Sequence, residues 1–113
     1  LPENLQTLTF GNDFNQSLEG VQLPDSLQTL TFGGNFDKAM EKVQLPPGLQ
    51  SLTFGRSFGR SFGLDGVLLP RLRTLTFVES YFNQSLEGVI LPNSLETLTF
   101  GLHFNQSLER VQL

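Results

Sequence analysis

Large apolar residues fall at the same places in five consecutive units, which open at Leu1, Leu23, Leu45, Leu69 and Leu91. In the first unit they are Leu1, Leu5, Leu8, Phe10, Phe14, Leu18 and Val21, and the positions between them are mostly polar or small. Thr7-Leu8-Thr9-Phe10 alternates with period two, the pattern of a strand with one buried face. Leu8 and Phe10 should face inward, and Thr7 and Thr9 outward. Gly11 and Asn12-Asp13 then supply turn chemistry, and Phe14 brings the chain back inside. Val21-Gln22-Leu23 repeats the alternation and predicts a second, shorter extended piece. Pro2, Pro24, Pro46, Pro70 and Pro92 follow that piece; proline lacks the N–H a ladder needs, so this column belongs at a corner. Two strands and two or three corners per unit are therefore expected, with no segment of helical length or period.

The units open 22, 22, 24 and 22 residues apart, too short for a two-helix repeat and right for one turn of a coil. The predicted fold is mainly β: a right-handed β-solenoid of leucine-rich-repeat type, one array over 1–113 with turns 1–22, 23–44, 45–68, 69–90 and 91–113. Stacked at about 4.8 Å, the parallel-strand spacing, such turns convert each position into a column. Phe10, Phe32, Phe54, Phe77 and Phe100 make one aromatic column and Phe14, Phe36, Phe58, Phe82 and Phe104 a second, together ten of the eleven phenylalanines. Phe62 is assigned to the Leu18 position of the third unit. Burying one such ring contributes roughly 4 to 6 kcal/mol before chain entropy is counted. Asn15, Asn83 and Asn105 form a further column, expected to bond to the backbone of the adjacent turn.

Units three and four are irregular. Gly55-Arg56-Ser57-Phe58 is followed by Gly59-Arg60-Ser61-Phe62, a local duplication. Leu69-Pro70-Arg71-Leu72 lacks one residue before its strand, and Val78-Glu79-Ser80-Tyr81 has one extra after it. The strand motifs at Ser51 and Thr74 stay intact, so both lesions should bulge at corners. They gather Arg56, Arg60, Arg71, Arg73 and Tyr81 into a candidate contact spot.

Seven Lys+Arg against eleven Asp+Glu give a net charge of −4, which leaves no basic stripe for a phosphate backbone and argues against nucleic acid. The absence of cysteine excludes a disulfide ladder or a thiolate metal site. No apolar run approaches the roughly 18 to 20 residues of a membrane-spanning helix. His103 is the sole histidine, and no nucleophile, phosphate loop or paired-carboxylate cleft accompanies it. Neither an enzyme, a cofactor nor a small-molecule substrate is implied. The chain opens on Leu1 and closes on Leu113 without atypical polar capping turns. It is therefore expected to be a stretch of a longer array, or to have both ends covered by another protein or by flanking repeats.

Leu-x-x-Leu-x-Phe-Gly-x-x-Phe-Asn-Gln-x-Leu, at Leu5 to Leu18 and again at Leu95 to Leu108, resembles the FNIP repeat, a relative of the leucine-rich repeat. Leu18-Glu19-Gly20-Val21-Gln22-Leu23-Pro24 is also similar to the BspA-type leucine-rich repeat. Phe62, Asp37-Lys38-Ala39-Met40 and the spacing of units three and four depart from the pattern. The resemblance implies a β-rich solenoid used for protein–protein recognition, without catalytic residues.

On the outside, Thr7, Thr29, Ser51, Thr74 and Thr97 form one file and Thr9, Thr31, Thr53, Thr76 and Thr99 a second. Gln6, Gln28, Gln50, Arg73 and Glu96 run beside them. These fifteen residues are the candidate binding face, and the expected function is a non-catalytic scaffold for protein–protein interaction. A structural subunit sealed within a larger assembly is the alternative, and an ice-binding Thr-x-Thr grid a third. Glu19, Glu41, Asp65, Glu87 and Glu109 align one per turn as a solvated acidic edge, because stacked like charges repel.

Overall fold

The computed structural model describes residues 3–59, 64, 67–78 and 89–100. Each unit contributes one short strand: β1 (Thr7–Thr9), β2 (Thr29–Thr31), β3 (Ser51–Phe54), β4 (Thr74–Phe77) and β5 (Thr97–Thr99). They form one sheet in chain order, every neighbouring pair parallel. The rest of each coil is the crossover that a parallel pair requires. No helix occurs among the described residues, so the coil is a β-solenoid as the repeat length predicts. Threonine alternates with leucine or phenylalanine through the strands, with Ser51 replacing one threonine in β3, because β-branched residues suit the outer pleated face and large apolar residues fill the inner one. Leu30, Leu52 and Leu75 are fully buried.

Register explains how the irregular units are absorbed. Thr7 pairs with Thr29, Thr29 with Ser51, Ser51 with Thr74 and Thr74 with Thr97, steps of 22, 22, 23 and 23 residues. The residue missing near Pro70 shortens the third step, and the extra one after β4 lengthens the fourth. In the regular coils the N–H groups of Leu27, Leu49 and Leu95 donate to the carbonyls of Pro24, Pro46 and Pro92 at 3.1 Å. In the fourth coil Leu72 donates to Leu69 at 3.3 Å. The reverse turn is kept by sliding it one residue upstream, and β4 stays in place.

Three reverse turns bend each of the first two coils. Phe14 N–H donates to Gly11 carbonyl, Val21 to Leu18 and Leu27 to Pro24; Phe36, Val43 and Leu49 repeat the set. Gly20, third residue of the Leu18–Val21 turn, has a φ of 81°, the left-handed conformation that a type II turn demands there. The second extended piece expected at Val21-Gln22-Leu23 is not a strand. Its three residues lie between two reverse turns, one of them opened by a proline without an N–H, and no ladder has room to form.

The aromatic columns form as the repeat predicts. Ring centroids of Phe10, Phe32, Phe54, Phe77 and Phe100 follow one another at 5.3, 5.3, 5.7 and 5.7 Å. Phe14, Phe36 and Phe58 follow at 6.0 and 6.1 Å; Phe82 and Phe104 lie outside the described residues. Within a coil the two columns touch, with Phe54 and Phe58 3.8 Å apart and nearly parallel. Because ring spacing exceeds strand spacing, the rings lie offset, the arrangement their quadrupoles prefer.

The assignment of Phe62 to the Leu18 column is corrected by Leu64. Leu64 is fully buried, and its carbonyl accepts from Val67 N–H at 3.1 Å, as Leu18 accepts from Val21 and Met40 from Val43. The two inserted residues displace the pattern, and the local duplication disguised it.

Side chains satisfy corner groups that the sheet does not reach. Asn15 Oδ1 accepts from Asp37 N–H at 2.9 Å, so this column bonds to the next coil through its amide oxygen. Asn83 and Asn105 lie outside the described residues. Ser26 Oγ donates to the Leu5 carbonyl at 2.7 Å, and Ser94 Oγ to that of Leu72 at 2.8 Å. Among the described residues, no helix is long and apolar enough to cross a membrane.

Candidate recognition face

The strand register aligns the ten predicted hydroxyl residues along the sheet, and the other five predicted residues each stand immediately before a strand. Thr7, Thr9, Thr97 and Thr99 are exposed at the two outer strands, while Thr29, Thr31, Ser51, Thr53, Thr74 and Thr76 are half-buried by their neighbours. Gln6, Gln28, Gln50, Arg73 and Glu96 are exposed along the N-terminal margin. Their backbone is held tightly. The Gln6 carbonyl accepts from Gln28 N–H at 2.8 Å and Thr29 N–H at 3.0 Å, and Gln28, Gln50 and Arg73 each take two N–H groups from the following coil in the same way. The Arg73 guanidinium donates to Glu96; that hydrogen bond, and then the carboxylate charge, raise the arginine's pKa. Two members of the row thus neutralise each other and leave three neutral amides beside them.

A trough of about 580 Å³ runs along the opposite, C-terminal margin across three coils. Thr9, Thr31, Thr53, Asn12 and Asn35 line it, together with Gly33, Gly34 and Gly55. At two of these glycines the absence of a side chain lets neighbouring coils approach closely. A Cβ on Gly33 would lie 2.5 Å from the Gly11 carbonyl oxygen, and one on Gly55 2.3 Å from that of Gly33. Successive Gly-x-x-Phe turns therefore nest backbone against backbone. Asn12 strengthens the nesting, since its carbonyl accepts from Asn35 N–H at 3.0 Å and its Oδ1 from Gly34 N–H at 3.3 Å.

Val78 occupies the glycine position of the fourth coil. Its N–H donates to the Phe54 carbonyl at 2.9 Å, so the chain stays on the ladder one residue longer and the side chain stands outward, 48% exposed. Val78 and Arg56 line the trough at this end. The threonine hydroxyls and asparagine amides along the trough can donate and accept, which suits an extended peptide backbone.

The predicted arginine spot divides. Arg56 follows the C-terminal end of β3 beside the trough, whereas Arg71 precedes the N-terminal end of β4; Arg60 and Tyr81 lie outside the described residues. Glu19 and Glu41 are exposed at the Leu18-type corner; Asp65, Glu87 and Glu109 are not described. The sequence pattern did not mark Asn12, Asn35 and Val78 as trough residues. The signal was present in the Phe-Gly pair of coils one to three and its replacement by Phe77-Val78. Among the described residues, no three His, Cys, Asp or Glu side chains converge on a point that could hold a metal ion.

One ladder per coil, reverse turns at the corners and stacked apolar columns define a solenoid of the leucine-rich-repeat class. The FNIP Repeat family matches residues 1–35, 14–57 and 82–113, and the chain belongs to it. A solved structure titled a novel circular LRR protein, CroV588, is similar over 99% of this chain, with 40% identity and a TM-score of 0.74. The chain spans 20% of that protein's length. No curated protein matches.

Proposed function

We propose that the array is a non-catalytic recognition scaffold that takes an extended segment of another protein along its strand face. The observation that supports this reading is the trough, an open depression of about 580 Å³ lined by threonine and asparagine side chains that the parallel sheet holds in register. A peptide laid across the coils would meet a threonine hydroxyl once per repeat, at Thr9, Thr31 and Thr53, and a different partner beside it in each coil, Asn12, Asn35 and Arg56. Recognition by repetition is how quasi-one-dimensional arrays use their surfaces. The test is co-purification from the native source with the chain as bait. Thr31→Lys with Thr53→Lys fills the trough while leaving the inner face untouched. The co-purifying proteins should be lost with unchanged far-UV circular dichroism; an identical set on both baits refutes the proposal.

A structural element sealed within a larger assembly is the second reading, supported by the first strand. Leu8 and Phe10 are only partly buried, whereas their counterparts Leu30 and Leu52, and Phe54, are fully buried. Further turns or a neighbouring protein would cover them. Cross-links concentrated on residues beside β1, rather than along the trough, would favour this version.

A further inference from the structure

Leu68 and Ile90 are 72% and 75% exposed, the two most solvent-open large apolar side chains described. Each directly precedes the Leu-Pro corner, where coils one and two carry the exposed Gln22 and Gln44 and the last coil Gln112. Two adjacent coils have exchanged an outward amide for an outward aliphatic group. A hollow of about 380 Å³ opens between them, lined also by Leu69, Pro70 and Pro92. It lies where coil four lacks a residue, Leu69-Pro70-Arg71-Leu72 facing Leu91-Pro92-Asn93-Ser94-Leu95. Ser94 and Asn93 line it too; the Ser94 hydroxyl is engaged by the Leu72 carbonyl, so Asn93 contributes the one amide to a surface made mainly of aliphatic and proline groups.

The size of the patch decides what can occupy it. Two aliphatic side chains and two proline rings offer at most roughly a few hundred Å², well below the about 800 Å² per partner of a stable protein pair. A second copy of the chain is therefore too large an occupant for so small a contact. A short linear segment with one or two anchoring side chains fits the volume. Arg71 follows Pro70 directly, is exposed, and forms no ion pair among the described residues. In a chain of net charge −4, an exposed cation one residue from the Pro70 that lines the hollow favours a carboxylate beside the anchor.

We propose that the Leu68/Ile90 hollow is a docking site, separate from the strand face, for a short acidic peptide segment bearing aliphatic anchors. Fluorescence polarisation with a fluorescein-labelled Gly-Ser-Leu-Asp-Leu-Asp-Glu-Gly peptide tests this on the full chain. Saturable binding is expected, weakened at least about tenfold by Leu68→Gln with Ile90→Gln. Arg71→Gln should weaken it severalfold and flatten its salt dependence. Glutamine is native to this column, so the double variant should melt with the wild type, and Thr31→Lys with Thr53→Lys should bind the peptide unchanged, which separates this site from the trough. Equal binding by the double variant, or no saturation up to about 1 mM, the weak limit of a specific complex, overturns the proposal. So does a concentration-dependent dimer in sedimentation that the double variant abolishes, which would assign the patch to self-association.

Discussion

Replacing Gly55 by alanine tests the backbone nesting directly. The added Cβ would stand 2.3 Å from the Gly33 carbonyl oxygen, 2.6 Å from its carbon and 2.9 Å from Gly34 Cα. All three are main-chain atoms, so no side chain can swing aside; coils two and three must part by about 1 Å to restore van der Waals contact. The Phe32–Phe54 and Phe36–Phe58 stacks at 5.3 and 6.1 Å and the β2–β3 ladder oppose that movement. Overpacking of this kind costs about 1 to 3 kcal/mol, and the upper half of the range is expected because the obstacle is backbone. Gly11→Ala is the internal control: it follows the same Phe-Gly pattern, yet its Cβ meets nothing within 4 Å and its φ is not positive. It should leave stability unchanged or raise it by up to about 1 kcal/mol through the unfolded chain. Urea denaturation of both variants, followed by far-UV circular dichroism, gives the two midpoints. Gly55→Ala should unfold at markedly lower urea than Gly11→Ala. Coincident midpoints would show that the coils are not nested backbone against backbone.

Phe54→Ala removes a fully buried ring that stacks on Phe32, Phe58 and Phe77; a loss of about 3 to 5 kcal/mol is expected by urea denaturation, and under 1 kcal/mol would deny the aromatic columns their structural role. Asn15→Ala takes the acceptor from the Asp37 N–H and should cost about 1 to 3 kcal/mol, with faster amide exchange at that one position. Glu96→Ala breaks an exposed ion pair and should leave the melting temperature unchanged, since solvent screens both partners; a clear drop would mean the pair organises more than its own side chains. The purified chain should show no thermal hysteresis, because Arg73 and Glu96 border a threonine file interrupted by Ser51; a measurable freezing gap would reassign the face to ice.

The strands were legible because alternation of threonine with leucine leaves only one face that can be buried, and the aromatic columns because a fixed repeat length places like on like. The same alternation at Val21-Gln22-Leu23 misled, since period two reports which side faces inward and not whether a neighbour offers a ladder. Phe62 misled for a different reason: it copies Phe58 locally, while Leu64-Asp65-Gly66-Val67 keeps the spacing of Leu18-Glu19-Gly20-Val21. Anchoring on that four-residue signature places Leu64 correctly. The trough left only the Phe-Gly pair of coils one to three as its signal in the sequence. The pair reports how closely two carbonyl-bearing turns can nest, a distance no single coil encodes.

The doubled carbonyl bonds at Gln6, Gln28, Gln50 and Arg73 carry a consequence for how such an array can diversify. Both hydrogen-bonding partners are main-chain groups of the following coil, so the local shape is specified without reference to whatever projects from the α-carbon. Glutamine, arginine and glutamate already share this row. Specificity can therefore drift there, one repeat at a time, while folding remains indifferent to the change.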